Sequence, residues 1–329
     1  MKMLVTGGTG FIGSRLALDA RSQGHTVVVA GQLNSDAERA RARELERNGI
    51  VIEQGPLQDP AYAERVVQGC QIVIHLAAAQ HEANVPDEYF FDVNVNGTRT
   101  LLEACKAAGV QRFVYGSTIG IYGEATGAAL DEKSPPRPVN VYGRSKLQAE
   151  GVVNAFQDAL QISIVRISET YGPGDFRLLK LFRAVNRGRF FIIGAGSNQR
   201  QAIHVADLVR GLMLAAVSPA AVGQTFVMAG EEILNTREMV RQVANALGKP
   251  APRWRLPMWP FLAAAVVMEK TLPPFGIQPP LHRRRLDFFR KSFLFSTAKA
   301  HTLLNFSPTI SFKNGAAETA QWYRDGGYL

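Results

Sequence analysis

Six short apolar runs punctuate the first half of the chain: "MLVTG" from Met3, "HTVVVA" from His25, "GIVIEQG" from Gly49, "QIVIHLA" from Gln71, "RFVYGS" from Arg112 and "ISIVRIS" from Ile162. Longer stretches of helical pattern lie between them. "DAERARARELERNG" from Asp36 has a charged face and meets a stop signal at Asn48-Gly49, and "GTRTLLEACKAAG" from Gly97 runs to a glycine. Strands alternating with helices of this length predict parallel βαβ units with right-handed crossovers, hence an α/β fold with a doubly wound parallel sheet. After about residue 170 the alternation loosens and prolines gather between residues 250 and 280. The pattern predicts a dinucleotide-binding domain over 1–170, to which some later segments return, and a smaller mixed α/β region over 171–329 that mainly covers substrate.

The 329 residues, 46% hydrophobic and 20% charged, suffice for one large or two intimately joined domains. Strand pattern begins at the second residue, so no secretory leader is expected, and two cysteines, Cys70 and Cys105, fit reduced thiols in the cytoplasm. The longest apolar run, Leu256 to Met268, is shorter than the ~18 residues of a membrane span. It is read as a core helix in preference to a surface that meets lipid. The formal charge of +9 suits an anionic partner, but the basic cluster from His282 to Lys291 sits in no nucleic-acid-binding motif.

The first strand runs straight into "TGGTGFIGSRL", which sets Gly7, Gly8, Gly10 and Gly13 ahead of a helix. Glycines let the chain turn tightly, let a pyrophosphate approach the backbone and let the helix pack on the strand, while the helix N-terminus offers free N–H groups to phosphate. Strand, glycine turn and helix in the first βα unit point to a bound dinucleotide. The second strand should end on an acid if it grips the adenosine ribose of NAD, and Gly31 stands there instead. Gln32, Asn34, Ser35 or Arg39 would then meet a 2′-phosphate, or Asp36 would serve the ribose, so these residues leave NAD and NADP open. In "NVYGRSKLQAEG" Tyr142 and Lys146 stand four apart and share one face of a helix.

Taken together, "TGGTGFIG", "VIHLAA" (73–78), "NVNGTRTLLEAC" (94–105), "YGSTIGIYG" (115–123), "YGRSK" (142–146), "RISETYGPGD" (166–175) and "IHVADLV" (203–209) resemble the extended short-chain dehydrogenase/reductase family over nearly the whole chain. That family contains nucleotide-sugar epimerases, dehydratases and 3β-hydroxysteroid dehydrogenases. The resemblance implies that Tyr142 exchanges a proton with a carbinol or carbonyl, that Thr118, with Ser117 beside it, holds the same oxygen, and that Lys146 binds the nicotinamide ribose and favours the phenolate. It places Gly7, Gly10, Phe11, Ile12, Gly13, Gly31, Gln32, Leu57, Ala77, Ala78, Asn94 and Ile167 at the cofactor. It also implies a homodimer formed through the helices that contain residues 94–105 and 142–151.

For the substrate, the resemblance sets Arg200, with a second arginine such as Arg284 from the 283–285 group, against a nucleotide diphosphate. Three departures from the sugar-nucleotide pattern stand out. Glu169 replaces an asparagine that contacts substrate, Pro56 replaces an aspartate for adenine, and Ile119 and Gly120 replace the acidic pair of dehydratases, which argues against dehydration. The expectation is an NAD(P)-dependent oxidoreductase or epimerase acting on a nucleotide-activated sugar, with no metal. The alternatives are a 3β-hydroxysteroid dehydrogenase-like enzyme for a hydrophobic alcohol and a non-catalytic dinucleotide sensor.

Overall fold

The computed structural model describes residues 1–80, 85–123, 129–272, 281 and 283–329, without the side chains of Arg284 and Arg285. The six apolar runs form six strands: β1 (Lys2–Thr6), β2 (Thr26–Ala30), β3 (Val51–Glu53), β4 (Ile72–His75), β5 (Arg112–Thr118) and β6 (Gln161–Ile167). A seventh, β7 (Gln224–Met228), comes from beyond residue 170 and pairs with β6 at the sheet edge. Every pairing in this sheet is parallel, in the order β7-β6-β5-β4-β1-β2-β3. The order reverses between β1 and β4, which opens a crevice at the C-terminal strand ends where a doubly wound sheet binds its ligand.

Apolar runs fit these strands because helices cover both faces of the sheet. On one face α1 (Phe11–Ser22), α2 (Asp36–Arg47) and α6 (Val205–Val217) bury Leu16, Leu45, Leu208 and Leu212 against Val5, Val29 and Phe226. On the other, α3 (Pro60–Val67), α4 (Gly97–Ala107) and α5 (Val141–Asn154) bury Tyr62, Leu101, Leu102 and Val153 against Leu4, Val73 and Phe113. Helix α2 stops at Arg47 with Asn48 as its cap, as the sequence signals. Its start is fixed by a capping box in which the Ser35 hydroxyl accepts from Glu38 N–H and the Glu38 carboxylate accepts from Ser35 N–H.

The C-terminal region is built from short strand pairs and helices, including α7 (Met258–Thr271) and α8 (Phe312–Asp325). Asp207, 2% exposed in the first turn of α6, anchors it: its carboxylate accepts from Thr309 N–H and Ile310 N–H and pairs with Arg210. Burial opposes the charge, yet hydrogen bonds from Ile310, Arg210 and Thr309 hold this carboxyl below its ordinary value. The apolar run from Leu256 to Met268 departs from expectation. It forms α7, but Ala265 is its one fully buried residue, while Trp259 and Val267 are exposed. The run is therefore half-buried, with Met258, Phe261, Leu262 and Ala265 covered and Leu256, Trp259, Ala263 and Val267 left outward.

Asp207→Asn is expected to lower stability by about 3 kcal/mol near neutral pH, since it turns an amide toward N–H donors buried with it. The folded carboxyl lies below the ordinary value of 3.8, so its contribution is present above that value and is lost as pH falls. Urea titrations at neutral and acid pH check this: the gap between wild type and variant should narrow in acid.

Candidate active site

A cleft of about 790 Å³ opens at the C-terminal strand ends. The turn after β1 forms its floor. Gly7 adopts φ +67°, and a side-chain carbon on Gly13 would lie 2.3 Å from the Gly7 carbonyl oxygen, so the first turn of α1 packs directly on the loop before it. The loop and helix start therefore present bare backbone to the cleft, which fits a pyrophosphate. Gly7, Gly10, Phe11, Ile12 and Gly13 line this part, with Ala77 and Ala78 opposite, and Gly31, Gln32 and Leu57 line the far end together with Pro56 and Gln58. Ile167 lines the wall near the tip of β6.

The far end carries an acid that the strand-end rule did not predict. Glu38, in the first turn of α2, lines the cleft. Arg39 is turned outward to Asp36 and to the Leu33 carbonyl, and Asp36 is almost wholly exposed. The capping-box spacing Ser35-x-x-Glu38 was readable in the sequence, but it signals a helix start and says nothing of which wall the carboxylate meets.

Helix α5 brings the polar groups to the other end. Asn140 caps it by accepting from Gly143 N–H at 2.8 Å, and a side-chain carbon on Gly143 would come within 2.7 Å of the Gly120 carbonyl oxygen. That close approach sets the start of α5 against the turn after β5, so Tyr142, Lys146, Thr118 and Ser117 line one cleft. The Thr118 Oγ accepts from Gly120 N–H at 3.0 Å, which leaves its own O–H to donate. The Ser117 hydroxyl is spent inward, donating to Glu150 Oε1 at 2.5 Å.

Lys146 is 2% exposed, with its ammonium 4.1 Å above the centre of the Tyr115 ring. Burial pulls it down to about 7, against the opposing pull of Glu150 one helical turn on. Glu150 is itself buried and paired with Arg166 of β6 through Nε at 3.1 Å and Nη2 at 2.7 Å. Arg166 also reaches the Tyr122 hydroxyl at 2.6 Å and the Glu132 carbonyl at 3.0 Å, and the Glu132 carboxylate accepts from Val227 N–H of β7.

Two expected residues do not line the cleft. Asn94 is buried and does not line the cleft; it exchanges hydrogen bonds with Ala79 N–H and carbonyl and donates to Ser145 Oγ, joining the loop after β4 to α5. Arg200 does not line the cleft either. Its guanidinium forks onto the Glu169 carboxylate, donates to the Phe288 carbonyl at 2.9 Å and lies 4.5 Å from the centre of the Phe288 ring. Glu169 does face the cleft, so the acid that departs from the sugar-nucleotide pattern is neutralised by the arginine expected at the diphosphate. Arg284 lies outside the described side chains, and Arg283 is paired with Glu269. Sequence reasoning also missed Arg177, which lines the cleft beside Phe11 while bonded to Asp175 and the Thr170 carbonyl. Its signal, the arginine just after "GPGD", needs the loop fold to be meaningful. Among the described residues no group of acids, histidines and cysteines is arranged to hold a metal.

The Lys146 ammonium titrates near 7 in the folded chain and near 10.5 in the unfolded one. The unfolded chain then binds more protons across this window, so stability of the cofactor-free protein should rise by about 1.4 kcal/mol per pH unit between these values from this group. Comparing Lys146→Met with wild type by urea unfolding at pH 7 and pH 9.5 should show the rise in wild type alone.

Comparison with known proteins agrees with this architecture. The NAD dependent epimerase/dehydratase family model matches residues 3–229. The 3 beta-hydroxysteroid dehydrogenase/Delta 5→4-isomerase of Mycobacterium tuberculosis is 30% identical, covering 98% of this chain and 90% of its own, and dTDP-glucose 4,6-dehydratase of Streptomyces niveus is 29% identical over 99% and 93%. Among solved structures, MoeE5 in complex with UDP-glucuronic acid and NAD is 27% identical, with a TM-score of 0.78, and covers 99% of this chain and 100% of its own. The UDP-glucuronic acid 4-epimerase of Bacillus cereus in complex with NAD, 24% identical, shares the fold with a TM-score of 0.81 over 100% of both chains. The glycine turn, the strand order and these matches have one explanation: the chain belongs to the NAD dependent epimerase/dehydratase family, within the extended short-chain dehydrogenases/reductases.

Proposed function

We propose that the protein is an NAD-dependent dehydrogenase/reductase acting on a secondary alcohol or the matching ketone, with Tyr142 as proton donor and acceptor. What carries this reading is the meeting of Tyr142, Lys146 and Thr118 in the cleft whose floor is the glycine turn. When bound, NAD supplies a nicotinamide carbon that accepts or returns hydride. The Thr118 O–H donates to the substrate oxygen, fixing it within reach of the Tyr142 hydroxyl. During oxidation the substrate hydroxyl would give its proton to the Tyr142 phenolate, and during reduction the Tyr142 hydroxyl would return it. A phenol ordinarily titrates near 10, and the Lys146 charge on the same helix face favours the phenolate. Ile119 and Ile167 give this end of the cleft apolar walls.

For the substrate, the pairing of Arg200 with Glu169 favours an uncharged, largely apolar alcohol such as a sterol: the guanidinium that would meet a diphosphate is already neutralised and buried. The nucleotide-sugar reading is supported by MoeE5, whose complex holds UDP-glucuronic acid, and it requires Arg200 to leave Glu169. A homodimer through the outer faces of α4 and α5 belongs to the same reading. At the ribose end, Glu38 facing the cleft and Arg39 turned away favour NAD over NADP, because a 2′-phosphate would meet a carboxylate, while Arg41 nearby is bonded to the Thr9 and Gly174 carbonyls.

Two measurements test this. Tyr142→Phe should lower turnover on a secondary alcohol by about 10²-fold or more with NADH binding retained; unchanged turnover sinks the mechanism. A thermal-shift comparison of sterols with UDP- and GDP-sugars, in the presence of NAD, separates the substrate classes, since a ligand bound only by the folded state raises its apparent stability. For the cofactor, calorimetric titration of Glu38→Gln should show NADPH affinity rising several-fold with NADH affinity little changed, and equal gains for both would remove Glu38 from the selection.

A further inference from the structure

Helix α7 presents an unusual surface. From Met258 to Met268 it has no polar side chain, and a helix apolar on every face is normally covered all round. Here Met258, Phe261, Leu262 and Ala265 pack inward on Ile193, Leu286 and Phe289, while Trp259, Ala263 and Val267, spaced four apart, form an exposed stripe. Trp259 is 73% exposed and Trp254, just before the two-residue strand Arg255–Leu256 that leads into the helix, is 75% exposed. Leu256 and Phe191 are partly exposed on the flank of the helix, where residues 255–256 pair with residues 192–193 and the Phe191 ring lies 5.9 Å from Phe261. Exposed large apolar side chains gathered on neighbouring segments mark a contact surface.

Its charged surroundings select the partner. The segments that build the patch, 187–193 and 249–272, contain Arg187, Arg189, Lys249, Arg253, Arg255 and Lys270 against one acid, Glu269, whose carboxylate is bonded to Arg283. The six bases are all exposed. Tryptophan beside exposed arginine and lysine is the composition of a surface that seats in the headgroup region of an anionic bilayer: the indoles enter the boundary and the cations meet lipid phosphates. A second copy of this chain would set one basic rim against another. Helix α7 is also too short to cross a bilayer, and no helix among the described residues is long and apolar enough to do so. We propose that this face, centred on Trp254 and Trp259, docks the protein peripherally on anionic phospholipid membranes, with α7 lying in the plane of the interface.

The test is co-sedimentation of the full chain with vesicles of phosphatidylcholine alone and of phosphatidylcholine mixed with phosphatidylglycerol, read together with tryptophan emission. Of the three tryptophans, the third, Trp322, is stacked on Tyr328 away from the patch, so emission reports chiefly on Trp254 and Trp259. The expected result is binding to the anionic vesicles with a blue shift, weakened by salt. The double variant Trp254→Ser/Trp259→Ser should lose at least about tenfold in vesicle affinity, and Arg253→Gln/Arg255→Gln should lose the preference for phosphatidylglycerol. Circular dichroism and the unfolding temperature confirm that both variants remain folded. Absence of binding to either vesicle, or equal binding by the tryptophan variant, overturns the proposal. So does a wild type that sediments as a dimer and a tryptophan variant that sediments as a monomer, neither binding vesicles, which assigns the patch to a second copy.

Discussion

The carboxylate of Glu150, buried one turn beyond Lys146, is the constraint on which the polar end of the cleft rests. It accepts from Ser117 on β5 and pairs with Arg166 on β6. Through Arg166 it holds Tyr122 and the Glu132 carbonyl, and Glu132 in turn receives an N–H from β7. Three neighbouring strands, one helix and the loop after β5 thus converge on one buried ion pair. Such a pair gains little net stability over apolar packing, but loss of either partner strands a charge in the interior, at about 3–5 kcal/mol. Its value here is positional: the same carboxylate that locks the strand tips also opposes the burial of the Lys146 ammonium.

The sequence made the cofactor half legible because its signals are local. A run such as "IVIH" must be buried on both faces, and a glycine turn between strand and helix has few other uses, so β1 to β6 and the floor of the cleft could be read residue by residue. Strand β7 was less visible, since "QTFVM" is set apart from the earlier alternation and joins the sheet only by returning across some fifty residues to β6. The pairing of Arg200 with Glu169 was not legible at all, because it depends on a two-residue strand, Gln199–Arg200, meeting the segment just after β6. Nor was the exposure of α7: apolar composition specifies that a surface should be covered, and the covering partner is not written in the helix itself.

The electrostatics of the cleft have a common theme. Glu38 and Glu169 are carboxylates near its two ends, and each is held by a local bond, the first to Ser35 and the second to Arg200. A carboxylate fixed in this way discriminates by repulsion as well as by attraction, since it cannot turn aside to admit a phosphate without losing its partner.

The anchor at Asp207 gives the chain a temporal order. The seven strands of the sheet are complete once residue 228 has been added, yet the backbone donors that satisfy Asp207 belong to residues 309 and 310. In a chain growing from its N-terminus, Asp207 therefore lacks these amide partners until after every strand of the sheet has been made.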